Sequence, residues 1–197
     1  METRHELIRK TMIVQNVNAE NHNHIYASEK GCPGRTTVWN NSETHGCEMG
    51  TNARVFQHGN RRMMGKLFKH KIFNEQVLEQ QEEYINETLA RTTGEFEQLV
   101  QGVPWLVRKG KEILEEAIKI EQCEKEFVEI HAPRLAVGHD SKGNLLNVET
   151  DGIESKNLGL DLHTFTEVVM SYGVVNAINV DWGGSVTIVW KKQVYTS

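Results

Sequence analysis

Apolar and polar positions are most regular in the last part of the chain, from about residue 128 to the end. Phe127 to Val137 alternates well enough to predict a strand. Ser141-Lys142-Gly143-Asn144 is turn chemistry, and Leu145 to Val148 returns as a second strand, so a hairpin is expected. Asp161 is an N-cap by type, and Leu162, Phe165, Val168, Val169 and Tyr172 form one helical stripe closed by Gly173. Val174 to Val180 is apolar but for Asn176 and Asn179 and reads as a strand. Asp181 to Ser185 is a tight turn, and Val186 to Trp190 runs back. Strand, hairpin, helix, strand and hairpin predict an α+β domain, a mixed β-sheet with flanking helices.

Upstream the pattern is less regular. Val103 to Val107 predicts a strand with Pro104 near its start, turned by Lys109-Gly110. Lys111 to Glu126 reads as a helix with Ile113, Ala117, Ile118 and Ile120 on its apolar side. Phe73, Val77, Tyr84 and Leu89 mark another helix among Glu and Gln residues. Residues 31–60 are broken by Gly31, Pro33, Gly34, Gly46, Gly50 and Gly59, with a short strand expected over Arg35 to Val38. Residues 1–30 are polar and read as a disordered leader, in which His22 and His24 stand among asparagines. Residues 31–197 are then expected to form a single domain.

Composition narrows the function. The chain has 197 residues, a formal net charge of −5, and a basic run (Arg61, Arg62, Lys66, Lys69, Lys71) with a single phenylalanine, Phe68, rather than aromatics repeated among the charges. No nucleic-acid partner is expected from these features. No stretch approaches the roughly 20 apolar residues of a membrane span. No apolar block of a signal peptide is seen between Met1 and Gln15. Taken alone, that absence would leave the chain in the cytosol, yet Asn40-Asn41-Ser42 and Asn86-Glu87-Thr88 are glycosylation sequons, which point to the secretory pathway instead. Cys32, Cys47 and Cys123 are odd in number, so at least one thiol lacks a partner within the chain. Nothing has metal-ligand spacing, and no metal or cofactor is expected.

Two turns carry candidate chemistry. Arg134 lies just upstream of Gly138-His139-Asp140, and Asp181 opens a turn containing Gly183, Gly184 and Ser185. Loop backbone at such strand ends can approach a ligand closely, and successive N–H groups of a glycine-rich turn can cradle an anion. Arg134 suits bidentate pairing with phosphate, and His139 is of the residue type suited to shuttling a proton. The same aspartates also suit Asx hydrogen bonds that merely stabilise turns.

Pro133-Arg134-Leu135-Ala136-Val137-Gly138-His139-Asp140-Ser141-Lys142-Gly143-Asn144-Leu145 resembles the S-A-R-T-A-I-G-H-D-x-x-G-x-L segment of the phosphodiester glycosidase family. Val174 to Asp181, followed by Gly183-Gly184-Ser185, is similar to its V-V-N-A-I-N-L-D-G-G-G-S signature. Val103 to Gly110 resembles its V-V-W-L-I-R-N-G strand, and Thr51 to Phe56 is an altered N-A-G-F-F. The likeness is dense over residues 128–197, patchier over 31–110 and absent over 1–30. It implies hydrolysis of the bond between N-acetylglucosamine C1 and a phosphate on mannose, exposing mannose 6-phosphate on lysosomal hydrolases. The implied partners are phosphorylated high-mannose glycans, and the implied place is the Golgi lumen or secretory pathway. On this reading Asp181 is the first catalytic carboxyl, with Asp140 or His139 as its partner. Arg134, Gly183, Gly184 and Ser185 would hold the phosphate, and Asn52 and Arg108 would line the sugar pocket.

The chain departs from the family at named positions. Trp182 replaces the first glycine of D-G-G-G-S; if the backbone there has positive φ, tryptophan costs about 1–2 kcal/mol. Its indole would also fill space the sugar needs. Arg54 replaces the glycine of N-A-G-F-F, and neither that motif's following cysteine nor the family's downstream cysteine-rich modules are seen. Two functions follow: a phosphodiester glycosidase, or a degenerate member that binds glycan or only folds.

Overall fold

The computed structural model describes residues 12–16, 36–52, 68–69, 98–99 and 102–196. The elements are β1 (Met12–Asn16), α1 (Val38–His45), β2 (Met49–Thr51), β3 (Phe68–Lys69), β4 (Gln98–Leu99), β5 (Trp105–Arg108) and β6 (Lys111–Glu112). They continue with α2 (Leu114–Ile120), α3 (Lys125–Glu129), β7 (Arg134–Asp140), β8 (Leu145–Thr150) and α4 (Leu162–Met170). β9 (Val174–Trp182), β10 (Thr187–Trp190) and β11 (Gln193–Thr196) close the chain, and a short 3-10 turn covers Glu154–Lys156.

The α+β class holds. Six strands form one sheet in the order β1-β8-β7-β9-β5-β6, and β11-β10-β2 form a second; every pairing between them is antiparallel. Alternation along the central strands gives the large sheet two apolar faces. Ala136, Leu146, Val148 and Ala177 join Leu114, Val128, Leu162, Phe165 and Val169 of the helices. Leu135 and Val180 pack instead with Val186 and with Ile188 of β10, flanked by Val137 and Ile178. Each face removes apolar area from water at about 25 cal/mol per Å², so a one-residue slip of β7 or β9 would exchange both cores.

The hairpin expected at residues 141–144 is present, and Asp161 caps α4 by accepting from the Thr164 N–H at 2.7 Å. Four expectations change. The strand expected over Arg35 to Val38 is absent from its described part, because Val38 opens a helix (Val38–His45) capped by the Thr37 hydroxyl, which accepts the Asn40 N–H at 3.1 Å. Lys111–Glu112 closes a hairpin on β5, so the helix begins only at Leu114 and ends before Gln122, which sits at φ +54. Phe127 lies in α3 rather than in a strand, and the strand starts at Arg134. Five residues of the polar leader, Met12–Asn16, form an edge strand against β8. The expected helix over residues 73–89 lies outside the described residues.

Candidate active site

Asp181 sits near the end of β9, where the pairing with β7 shifts register between Leu135 and Ala136. A bulge of this kind re-aims the side chains on the longer strand. The Asp181 side chain meets the segment linking the second sheet, while its neighbour Trp182 meets the helices. Asp181 is 1% exposed. Asn52 donates its side-chain amide to Asp181 Oδ2, and the Ser185 hydroxyl donates to the same oxygen at 3.0 Å. The amide's orientation is fixed independently: Asn52 Oδ1 accepts the Thr187 N–H at 2.9 Å, so the NH₂ end must face the carboxylate. Burial pushes the Asp181 carboxyl up to about 6, against the opposing pull of the Trp182 N–H, Asn52 and Ser185. Such a group ionises just below neutrality and exchanges protons readily there.

Trp182 is turned away from the Asp181 carboxylate. Its φ is not positive, so the strain expected of a glycine replacement does not arise. Its indole packs edge-on against Phe127 at 5.4 Å and lies beneath the Arg134 guanidinium at 5.8 Å, on the helix side of the sheet. The glycine that the turn does require is the next one: Gly183 has φ +80.

Arg134 is not presented to an external anion. It is fully buried, donating from Nη2 to the Phe127 and Ile130 carbonyls (2.8 and 2.9 Å) and from Nε to the Leu160 carbonyl (3.3 Å). Burial lowers its pKa to about 10, partly offset by attraction from Asp161 and Glu154, so it stays charged at neutral pH. The turn's N–H groups are also partly engaged: Gly183 donates to the Pro133 carbonyl at 3.0 Å, and Gly184 to Glu154 Oε2 at 3.4 Å.

Asp140, His139 and Arg108 are not brought to Asp181. Asp181 is opposite Leu135, whereas Asp140 is opposite Val174 and His139 opposite Asn176. Five residues of strand separate Leu135 from Asp140, about 17 Å. Asp140 is an Asx-turn residue: its carboxylate accepts the Lys142 and Asn144 N–H groups (2.8 and 2.9 Å) and the Asn144 amide (2.8 Å). The Asn144 amide chiefly holds that carboxyl below the usual range. His139 Nε2 contacts the Asn176 amide at 2.9 Å, and Arg108 lies over the Trp105 ring near the same end of the sheet. Register, a non-local property, separates motif neighbours that the sequence offered as partners.

Two carboxyls near the site were missed. Glu149 on β8 is opposite Leu135, which is opposite Asp181, so both acids stand on one row of the sheet two strand spacings apart, about 10 Å. Burial, and then repulsion from Asp151, pushes Glu149 up to about 7. Its signal was present, since Asn147 and Glu149 are polar alternate positions in a buried strand. Glu154, at the glycine turn, had no sequence signal.

Among the described residues no group of acids, histidines and cysteines could hold a metal, and no helix is long and apolar enough to cross a membrane. Cys47 and Cys123 are free thiols, and burial raises Cys123 to about 11.

A family model described as phosphodiester glycosidase matches residues 34–197. The chain is 38% identical over 111 residues to the bovine N-acetylglucosamine-1-phosphodiester alpha-N-acetylglucosaminidase, covering 52% of this chain and 21% of that protein. The mouse protein of the same name is 41% identical over 101 residues, covering 48% and 19%. The chain thus spans about a fifth of these relatives. In fold it resembles the catalytic domain of the zebrafish protein of that name, solved auto-inhibited by its pro-peptide. The TM-score is 0.62 at 23% identity, over 95% of this chain and 65% of that one.

Proposed function

The chain belongs to the phosphodiester glycosidase family, and from that premise we propose that it hydrolyses the sugar–phosphate bond of N-acetylglucosamine-1-phosphodiesters. The observation that carries the reading is the buried Asp181 carboxylate with its two side-chain donors, Asn52 and Ser185. Water attacks the anomeric carbon; Asp181, ionised above about pH 6, takes its proton and later returns it to solvent. The bond from the anomeric carbon to oxygen breaks, and its electrons leave with the phosphate monoester. Phosphate is a good leaving group, so stabilising charge matters more here than protonating oxygen.

On the same reading the substrate is the phosphorylated high-mannose glycan of lysosomal hydrolases, and the product exposes mannose 6-phosphate. The relatives' names support the glycan class. A setting in the Golgi lumen fits the exposed Asn40 of the first sequon, while Asn86 lies outside the described residues. The alternative, a member that only binds or folds, loses its main support because the Trp182 indole is turned away from Asp181. Arg54, its other support, lies outside the described residues.

The test is turnover in oxygen-18 water of N-acetylglucosamine linked through phosphate to mannose. The reading predicts free N-acetylglucosamine labelled at the anomeric oxygen. Label in the phosphate, or no release by the folded chain, overturns it.

A further inference from the structure

The glycine turn that follows Asp181 already holds an anion of the protein's own. Glu154, half-buried on the 3-10 turn between β8 and α4, places Oε2 3.4 Å from the Gly184 N–H. A Cβ on Gly183 would lie 2.4 Å from that same oxygen, so only glycine lets the carboxylate settle against the turn. Gly184 and Ser185 are exposed, and nothing would contact a Cβ on Gly184 within 4 Å, so this side of the turn is open.

Behind the turn lies a buried positive charge. Arg134 is fully buried, makes all its hydrogen bonds to uncharged carbonyls, and leaves Nη1 without a partner. No carboxylate of the described residues lies within ion-pair distance of it; Asp161 and Glu154 attract it only from farther away. A desolvated cation without a close counter-ion acts through a low dielectric and favours negative charge in the nearby turn. A carboxylate and a phosphate offer the same oxygens to a backbone N–H, and the phosphate carries the greater capacity.

We propose that the Gly183–Ser185 turn is a phosphate-accepting subsite whose resident occupant is the Glu154 carboxylate, which the phosphate of the substrate displaces. The proposal rests on the reading of the substrate as a phosphodiester, and it adds an internal competitor to that site. Phosphate then binds with an apparent affinity reduced by the fraction of time Glu154 occupies the turn. The cost gives selectivity: a neutral sugar cannot displace the carboxylate, whereas a phosphorylated one can.

The test is calorimetric titration of the full chain with inorganic phosphate at neutral pH, alongside Glu154→Gln and Glu154→Ala, each checked for fold by circular dichroism. Glutamine keeps the size of the side chain and removes only its charge. Both variants are expected to bind phosphate at least about fivefold more tightly than the wild type. Equal or weaker binding by the folded variants, or no phosphate binding by any of the three proteins, overturns the proposal. Tighter phosphate binding without any release of N-acetylglucosamine would sink the hydrolase reading and leave this subsite standing. Release by the wild type without tighter binding by the variants would do the reverse.

Discussion

Asn52 donates its amide to the carboxylate of Asp181 across 129 positions of sequence. The contact ties the end of β2 to the end of β9 and holds down the pKa of an acid that burial raises. Because this bond favours the ionised acid, it works against burial. Asn52→Ala therefore raises the Asp181 pKa further and moves the acid limb of the pH–rate profile upward. The Thr187 N–H also loses its acceptor, at a cost of about 1–2 kcal/mol in stability. A pH–rate profile and a urea midpoint check both, and an unmoved acid limb would contradict the assignment.

Two buried acids make the fold sensitive to pH in a direction opposite to that of ordinary paired carboxylates. Asp181 rises from 3.8 to about 6 and Glu149 from 4.5 to about 7. In each case the folded state holds the proton more tightly than the unfolded chain. The stability contribution is complete below the unfolded pKa and is lost as pH rises through the folded one. Asp181→Asn and Glu149→Gln should each stabilise the protein at pH 7.5, by up to about 3 kcal/mol, and change little at pH 3.5. Urea midpoints at the two pH values measure this, and a gain confined to acid pH would contradict it.

Trp182→Gly separates packing from blockage. The indole lies against Phe127 and Arg134 rather than beside Asp181. Removing it should cost about 2–3 kcal/mol and leave turnover of the folded variant no higher than that of the wild type. Thermal unfolding and a release assay below the transition measure the two effects. A variant markedly faster than the wild type would place the indole in the substrate's path.

Much of the fold was legible because its signals are local. The Asp161 cap, the turn at Ser141 to Asn144 and the apolar run of β9 need only their own neighbourhoods. Asp181, Ser185 and Asn52 were legible as members of motifs. What the sequence hid was which motifs meet. Asp140 and His139 share a motif with Arg134 but are carried to the far end of β7, while Asn52 arrives from a different sheet. Adjacency in sequence puts Trp182 beside Asp181, yet neighbours on a strand face opposite ways. Arg134 looked like a phosphate ligand by type, but its environment, three carbonyls and two aromatic rings, is set by α3 and the segment before α4.

The central claim is that Asp181 carries the chemistry of this site. The most direct measurement compares release of N-acetylglucosamine from its phosphomannose diester by the chain and by Asp181→Asn, both confirmed folded. The account predicts a fall in kcat of about 10²–10⁴-fold in the variant, with a urea midpoint at neutral pH no lower than that of the wild type. A folded Asp181→Asn protein that keeps its rate within tenfold would contradict it.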